Sequence, residues 1–457
     1  MINALFPPNE LNAAKGDGIT NDLSNIQSLI NYVYRSGGGL LYFPPTVKGY
    51  FIDGTIQYKD NVNLLGLNTL MTFKSTPVSS SCITNIVDNL NNVYIDGFRF
   101  ETTKDFTHTD AYSTYNVSKL TCIKIKNAKK ITLKNIKSNN MDYTLKFDGD
   151  GVINELITEN LFATNGVNFL HLAKVSRWVA NNLDSSLADT SPLNHHYYIK
   201  EGVKNANLNY ITVNDGKGFV LHFYSTVSDI PENMIENIYI NHLTALNVDR
   251  AFLINTHVEH LRINNIIITN QKINPVLTIA AKAKDIVIDG FTLKTCSSLF
   301  TSTVGEGVAD NVIIKNGLID RMGTLNIIGT VDNIIFENIS FTNADWIGSN
   351  TDMTFNINGK YQSFIMRNIN MKFPTIIKNN ASIRISGSGK FKISDIEVHG
   401  DAVNLTLGQF IYMPGTTVRD VIVQNCYADI FDTFILGNDS SITIKKFNNI
   451  HKGNVVG

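Results

Sequence analysis

The sequence predicts an all-β chain wound as a right-handed parallel β-helix, and three observations carry that prediction. The shape of Ile286-Val287-Ile288-Asp289-Gly290-Phe291-Thr292-Leu293 recurs along the chain: alternating apolar and polar residues, one bend residue, then alternation again. The bend residues are Gly97, Asn135, Asn160, Asn182, Tyr210, His242, Asn265, Gly290, Asn316, Asn338, Asn368, Asp395, Asn425 and Lys446, roughly 27 residues apart, a period typical of solenoids. Inside each unit the period is two and the composition favours Ile, Val, Phe and Thr, which reads as strand rather than helix. Asn tolerates a left-handed bend, and identical amides stacked rung on rung can bond along the axis. About fourteen rungs at roughly 4.8 Å would make a rod on the order of 65 Å long.

The first fifty residues read as a cap. Leu23, Ile26, Ile30 and Val33 share one helical face over about 22–35, Asp22 stands where an N-cap belongs, and Gly37-Gly38-Gly39 stops the helix. Such a helix would plug the open apolar end of the first coil, which begins at Leu40-Leu41-Tyr42-Phe43. The β-helix is expected over 51–450, with 451–457 as a tail. A further strand precedes each marked pair, as in Tyr143–Phe147, Phe169–Leu172, Tyr198–Lys200, Val220–Phe223 and Val276–Ile279, so each coil has three strands and the solenoid three sheets. Strand alternation points Leu145 and Phe147 inward and Lys146 outward. The outward column then reads Lys124, Lys146, His171, Tyr198 and His222, followed by the plainer Asn255 and Thr278. Three long insertions also lie in the N-terminal half: one with Asp105, His108, Asp110, Tyr112 and Tyr115, one from Asp184 to His196, and one from Tyr224 to Glu236 with Asp229 and Glu232. Loops on a regular scaffold commonly carry function.

Over 457 residues the formal net charge is -1, which lacks the basic footprint of a nucleic-acid binder and suits a neutral or sparsely charged ligand. Cys82, Cys122, Cys296 and Cys426 form no close pair, so neither zinc nor a disulfide framework is indicated, and Cys426 takes an inward position. No apolar run reaches membrane-spanning length, and Met1-Ile2-Asn3-Ala4-Leu5 lacks the start of a signal peptide.

Chemistry concentrates beside the outward column. Asp148 and Asp150 flank Gly149 after the strand that carries Lys146. Two close carboxylates can serve as acid and as base or nucleophile in glycoside cleavage, though Asp-Gly-Asp-Gly is also a good turn. A calcium ion at that bend is a further option, without a denser acidic cluster to support it. Asp184 and Asp189, in the next insertion, are the other candidate carboxylates. His171 and His222, read as outward, suit proton transfer near neutral pH or hydrogen bonds to sugar hydroxyls. Lys146 and Arg177 can meet an acidic sugar, His196 and Tyr198 lie beside them, and Tyr112, Tyr115, Tyr197 and Tyr224 add rings on which sugar faces stack or with which loops pack. The pair His195-His196 lacks a placed third ligand for a metal, and no strained nucleophile turn supports a serine triad.

Gly16-Asp17-Gly18-Ile19-Thr20-Asn21-Asp22, Ile26-Gln27, Gly37-Gly38-Gly39, Phe43-Pro44 and Tyr50 resemble the N-terminal signature of the pectate-lyase-like β-helix superfamily, which includes bacteriophage tailspikes. Asn21 stands where that family often has Asp, and Pro45-Thr46 where a Gly commonly follows. The resemblance implies the fold and a polysaccharide ligand. It leaves open glycoside hydrolases, lyases, epimerases and non-enzymatic adhesins. The expectation is a depolymerase of a bacterial surface or extracellular glycan, hydrolytic in preference to β-eliminating, with a non-catalytic tail fibre or adhesin as the alternative. The tailspike likeness further implies a homotrimer on a virion tail or outside the cell.

Overall fold

The computed structural model describes residues 1–8, 10–74, 80–85, 89–103, 120–147, 151–187, 195–225, 230–302, 308–322, 325–343, 355–373, 382–400, 409–415, 417, 419–428, 431, 433–437, 442–451 and 453–456. The protein is an all-β parallel solenoid of about 12 turns, a right-handed parallel β-helix. Its chain divides into two compact units, Met1–Ile240 and Asn241–Gly457.

In the first unit, helix α1 (Leu23–Arg35) buries Ile26, Leu29, Ile30 and Val33. It is tied to the coil by one side-chain amide: Gln27 Nε2 donates to the Gln57 carbonyl at 3.0 Å and Gln27 Oε1 accepts from the Gln57 N–H at 2.8 Å. The amide thus occupies two main-chain groups that a neighbouring strand would otherwise pair. Asp22 does not cap the helix with its side chain, contrary to the sequence reading. Its carboxylate instead accepts from the N–H groups of Lys15 and Gly16 at 2.6 and 3.0 Å, fixing the preceding turn. The first coil opens with Gly39–Phe43, parallel to Val62–Phe73.

Each coil then repeats one plan. A long bent strand supplies two sheets, as in Ala128–Asn139, Ile153–Gly166 and Trp178–Leu187, stacked in parallel register. A short strand supplies the third: Ser80–Asn85, Leu120–Lys124, Tyr143–Phe147, Asn168–Leu172, His195–Lys200 and the end of Lys204–Tyr224. We call this third sheet ladder A. The second unit follows the same plan, with Val258–Ile279, Ala283–Ser302 and Val308–Met322 paired in parallel and Leu325–Asn343, Phe355–Phe373 and Ser388–Gly400 stacked likewise.

Thirteen of the marked bend residues, Gly97 through Asn425, have positive φ, from 51° at Asn135 to 80° at Gly97. The exception is Lys446, where Asn448 takes the left-handed conformation instead. Asn fits because its amide also bonds the neighbouring coil: Asn160 to Asn135 and Asn182 to Asn160, both at 2.8 Å, and in the second unit Asn338 to Asn316 at 2.9 Å and Asn368 to Asn338 at 2.6 Å. At three bends that lack Asn, the residue before the bend supplies the acceptor. Asp96 precedes Gly97 and accepts from Asn135, Asp289 precedes Gly290 and accepts from Asn316, and Asn241 precedes His242 and accepts from Asn265.

The core is a file of aliphatic and aromatic side chains with almost no exposure, among them Leu145, Leu170, Tyr197 and Leu221 in the first unit and Ile314, Phe336 and Phe364 in the second. Full burial of each such side chain stabilises by roughly 1.5–3 kcal/mol. Cys426 is in this core, as the sequence indicated. Among the described residues no helix is long and apolar enough to cross a membrane.

Candidate functional site

Ladder A places one functional column where strand alternation put it. Lys124 lies opposite Lys146, Lys146 opposite His171, His171 opposite Tyr198, and Tyr198 opposite His222. A second column beside it departs from simple alternation. In each strand two consecutive residues are buried, Thr144-Leu145, Phe169-Leu170, His196-Tyr197 and Val220-Leu221. The outer positions are therefore three residues apart: Tyr143 with Lys146, Asn168 with His171, His195 with Tyr198, and Phe219 with His222. A left-handed corner at Asn140, Asn165 or Asp215 precedes three of these strands and interrupts the alternation that a straight strand would keep.

The two columns, together with Tyr224 beside them, form a strip of seven rings. His171 packs edge-on to Tyr198 at 5.0 Å and lies 5.7 Å from Tyr143. His195 stacks on Tyr198 at 4.6 Å and meets His222 at 4.7 Å. Phe219 lies 5.1 Å from His222, and Tyr224 stacks on Tyr198 at 5.7 Å. At one end the Lys146 ammonium sits 4.8 Å from the Tyr143 ring centre, a cation–π contact.

Neighbouring rings cover one another, which changes the chemistry expected of the histidines. His171 and His222 are outward in register but only 9% and 8% exposed. Burial, then the nearby His195, pushes the His222 pKa down to about 3, so its ring is neutral near pH 7 and does not act there as an imidazolium acid. Its Nδ1 is 3.4 Å from His195 Nε2, and its Nε2 is buried without a hydrogen-bond partner among the described residues. Burial, then Tyr224 and Glu201, likewise raises the Tyr198 hydroxyl pKa and keeps it protonated.

The other candidates separate. His196, expected to touch substrate, is fully buried: Nδ1 is 2.7 Å from Ser185 Oγ and Nε2 is 3.0 Å from the Asp215 carbonyl. It is the first of the two consecutive inward residues, so it serves the core. Arg177 pairs with Glu155, which also holds Lys130, and neither belongs to the strip. Tyr224 joins the strip directly, 5.6 Å from His222. Asp184 lies on the outer face of the preceding sheet, between Phe162 and Thr212. Burial raises its pKa, the property required of a carboxylic acid that donates a proton. An open groove on that sheet is lined by Lys137, Phe162, Thr164, Asn165 and Ser186, with the Arg99–Glu101 ion pair at one side.

Asp148, Asp150 and Asp189 lie outside the described residues, as do Asp105, His108, Asp110, Tyr112, Tyr115 and Asp229. The calcium option at Asp148 and Asp150 falls there too. Among the described residues no three His, Cys, Asp or Glu side chains converge as metal ligands. The sequence reading missed Tyr143, His195 and Phe219 as strip members, and the signal was a ring three residues before Lys146, Tyr198 and His222. It also missed Glu201, whose Oε1 is 3.6 Å from Lys200 Nζ and whose charge bears on Tyr198. In the second unit the Ala280 N–H donates to the Ile254 carbonyl, which sets Leu253, not Asn255, beside Thr278.

No protein-family model and no curated protein matches the sequence. Solved structures do match. A tailspike protein mutant of E. coli bacteriophage HK620 in complex with a pentasaccharide superposes with a TM-score of 0.57 at 12% identity, covering 88% of this chain and 80% of that one. A second mutant of that tailspike, in complex with a hexasaccharide, gives 0.55 at 11% identity over 88% and 79%. The likeness is one of fold: the chain is a parallel β-solenoid.

Proposed function

We propose that the chain binds a polysaccharide along the ring strip of ladder A and cleaves it by hydrolysis. The observation that carries this reading is the strip itself: Tyr143, His171, Tyr198, His195, Phe219, His222 and Tyr224 present stacked rings on successive rungs, and the C–H faces of sugars pack on such rings. Successive rungs are about 4.8 Å apart, so side chains from three or four coils can meet one or two sugars. The tailspike of shared fold binds a pentasaccharide, which supports the same ligand class here.

For cleavage, Asp184 supplies the acid, since burial favours its protonated form. The second carboxylate comes from Asp148, Asp150 or Asp189. Separations of about 5–5.5 Å between the two would give retention and about 6.5–9.5 Å inversion. A carboxylic acid that burial helps to hold its proton, on the sheet that precedes ladder A, fits hydrolysis better than β-elimination, which needs a base at a sugar carbon. The setting we propose is a homotrimeric tailspike or a related extracellular protein, and light scattering that reports a monomer would remove the tailspike analogy alone.

One observation favours a binding-only protein: His222, at the strip's centre, is neutral near pH 7 and offers stacking rather than proton transfer. The deciding experiment incubates the protein with a panel of bacterial capsules and O-antigens and measures reducing ends. Release of reducing ends with no ultraviolet-absorbing unsaturated product supports hydrolysis. An unsaturated product replaces hydrolysis with elimination, binding without release leaves the adhesin reading, and neither binding nor release rejects both.

A further inference from the structure

In the second unit a groove of about 340 Å³ crosses four successive rungs on the sheet that precedes the Asn bend. One row along its length is Ile365, Lys392, Ile422 and Lys445, each in register with the next. The adjoining row holds Lys390, Asp420 and Thr443, also in register, with Ser363 at its end. Phe364, Phe391 and Val421 are buried beneath. Lys390, Lys392 and Lys445 are exposed, while Ile365 and Ile422 between them are half-buried. None of the three lysines has a carboxylate partner among the described ion pairs. Against the single negative charge of Asp420, the groove therefore carries a net charge of +2 (three Lys minus one Asp) on a chain whose formal net charge is -1.

We propose that this groove is a second ligand site, separate from the ring strip, and that it takes a carboxylate-bearing polysaccharide lying across the rungs. Lys392 and Lys445 stand two rungs apart, about 9.6 Å by the spacing of paired strands. That repeat suits a linear glycan with a carboxylate on alternate sugars, one acid group meeting each ammonium. The half-buried Ile365 and Ile422 offer apolar ground for the sugar faces between the acids, and Ser363 and Thr443 offer hydroxyls for theirs. A nucleic acid fits less well, because the groove's two rings, Phe364 and Phe391, are buried beneath it and no Arg lines it to stack a base. An extended peptide fits less well too, since the ligand would lie on the face of a sheet, where no strand edge is open for pairing.

Hyaluronan oligosaccharides, which carry a carboxylate on alternate sugars, are the probe, with neutral dextran oligosaccharides and single-stranded DNA as comparisons. Titration of the full chain at low ionic strength should show hyaluronan binding that weakens as salt rises, because exposed charges are screened. Lys392→Gln with Lys445→Gln should weaken it at least about tenfold, each lost charge-assisted hydrogen bond being worth that order. Asp420→Asn should tighten binding, which a general loss of folding cannot imitate. These residues are exposed, so an unchanged melting temperature is expected and checks that each variant folds. Absence of hyaluronan binding by the parent chain, equal binding by the Lys variant, binding of dextran as tight as of hyaluronan, or tighter binding of DNA would each overturn the proposal. All of these outcomes are independent of whether the ring strip cleaves a glycan.

Discussion

Replacing Asn338 by Val should destabilise the second unit by about 2–4 kcal/mol. Asn338 has φ 54°, and a β-branched residue in that left-handed region costs about 1–2 kcal/mol. Its Nδ2 donates to Asn316 Oδ1 at 2.9 Å and its Oδ1 accepts from Asn368 Nδ2 at 2.6 Å. Both bonds are exposed, so losing them costs about 1–2 kcal/mol together, the lower part of the usual range. Asn338→Gly separates the two contributions, since Gly keeps the bend and loses only the amide bonds. Urea unfolding reads the difference directly as long as the slope m is unchanged between variants. The melting temperature should fall on the order of 5–10 °C for Val and less for Gly. A Val variant within about 0.5 kcal/mol of the parent, or a Gly variant less stable than the Val one, would refute the reasoning.

The remaining predictions concern the first unit. Burial pushes His196 and His222 down to about 3 from an ordinary 6.5. Their contribution to stability is thus complete above pH 6.5 and is lost as pH falls from there towards 3, because the unfolded chain takes up protons that the folded one refuses. By pH 5 the loss is about 2 kcal/mol for each; a urea midpoint that does not move between pH 7 and pH 5 contradicts the burial argument, and His196→Gln should flatten the pH dependence. Tyr198→Ala should weaken glycan binding at least about tenfold, whereas Tyr239→Ala, exposed elsewhere on the coil, should leave calorimetric affinity unchanged; equal losses would detach recognition from the strip. Asp184→Asn should lower the rate of reducing-end release by about 10²–10⁴ with an unchanged melting temperature. Parent-like rates for Asp184→Asn and for the same change at Asp148, Asp150 and Asp189 would place the chemistry elsewhere.

The bend line was legible because its physics is local. A left-handed backbone between two alternating runs needs Gly, Asn or a similar residue, so Asn135, Asn160 and Asn338 announce themselves one by one. Lys446 failed the same test because its strand, Ile442–Phe447, runs straight past it to Asn448. Ladder A was only half legible. Alternation holds within a straight strand, and the two consecutive inward residues His196 and Tyr197 break it, so His195 went unassigned to the strip while its neighbour His196 was given an outward role it does not have. Covering was not legible at all: the sequence shows which face His222 takes, but only the packing of Tyr198, Phe219, His195 and Tyr224 around it removes its water. Asp22 illustrates a third limit, since Lys15 and Gly16 compete for its carboxylate across a turn that the helix pattern does not mark.

The amide rows along the bends have a direction. In each one the side chain made later donates and the side chain made earlier accepts: Asn135 to Asp96, Asn160 to Asn135, Asn316 to Asp289, Asn425 to Asp395. A row opens on a carboxylate wherever Asp96, Asp289 or Asp395 stands first, and a carboxylate needs no acceptor of its own. The polarity of the rows therefore matches the polarity of synthesis. Each coil leaving the ribosome would find its acceptor already in place and would wait for nothing downstream, while an N-terminal deletion would strip acceptors from coils that follow. Ribosome-bound chains halted at successive bends should accordingly gain protease resistance one coil at a time from the N-terminal side.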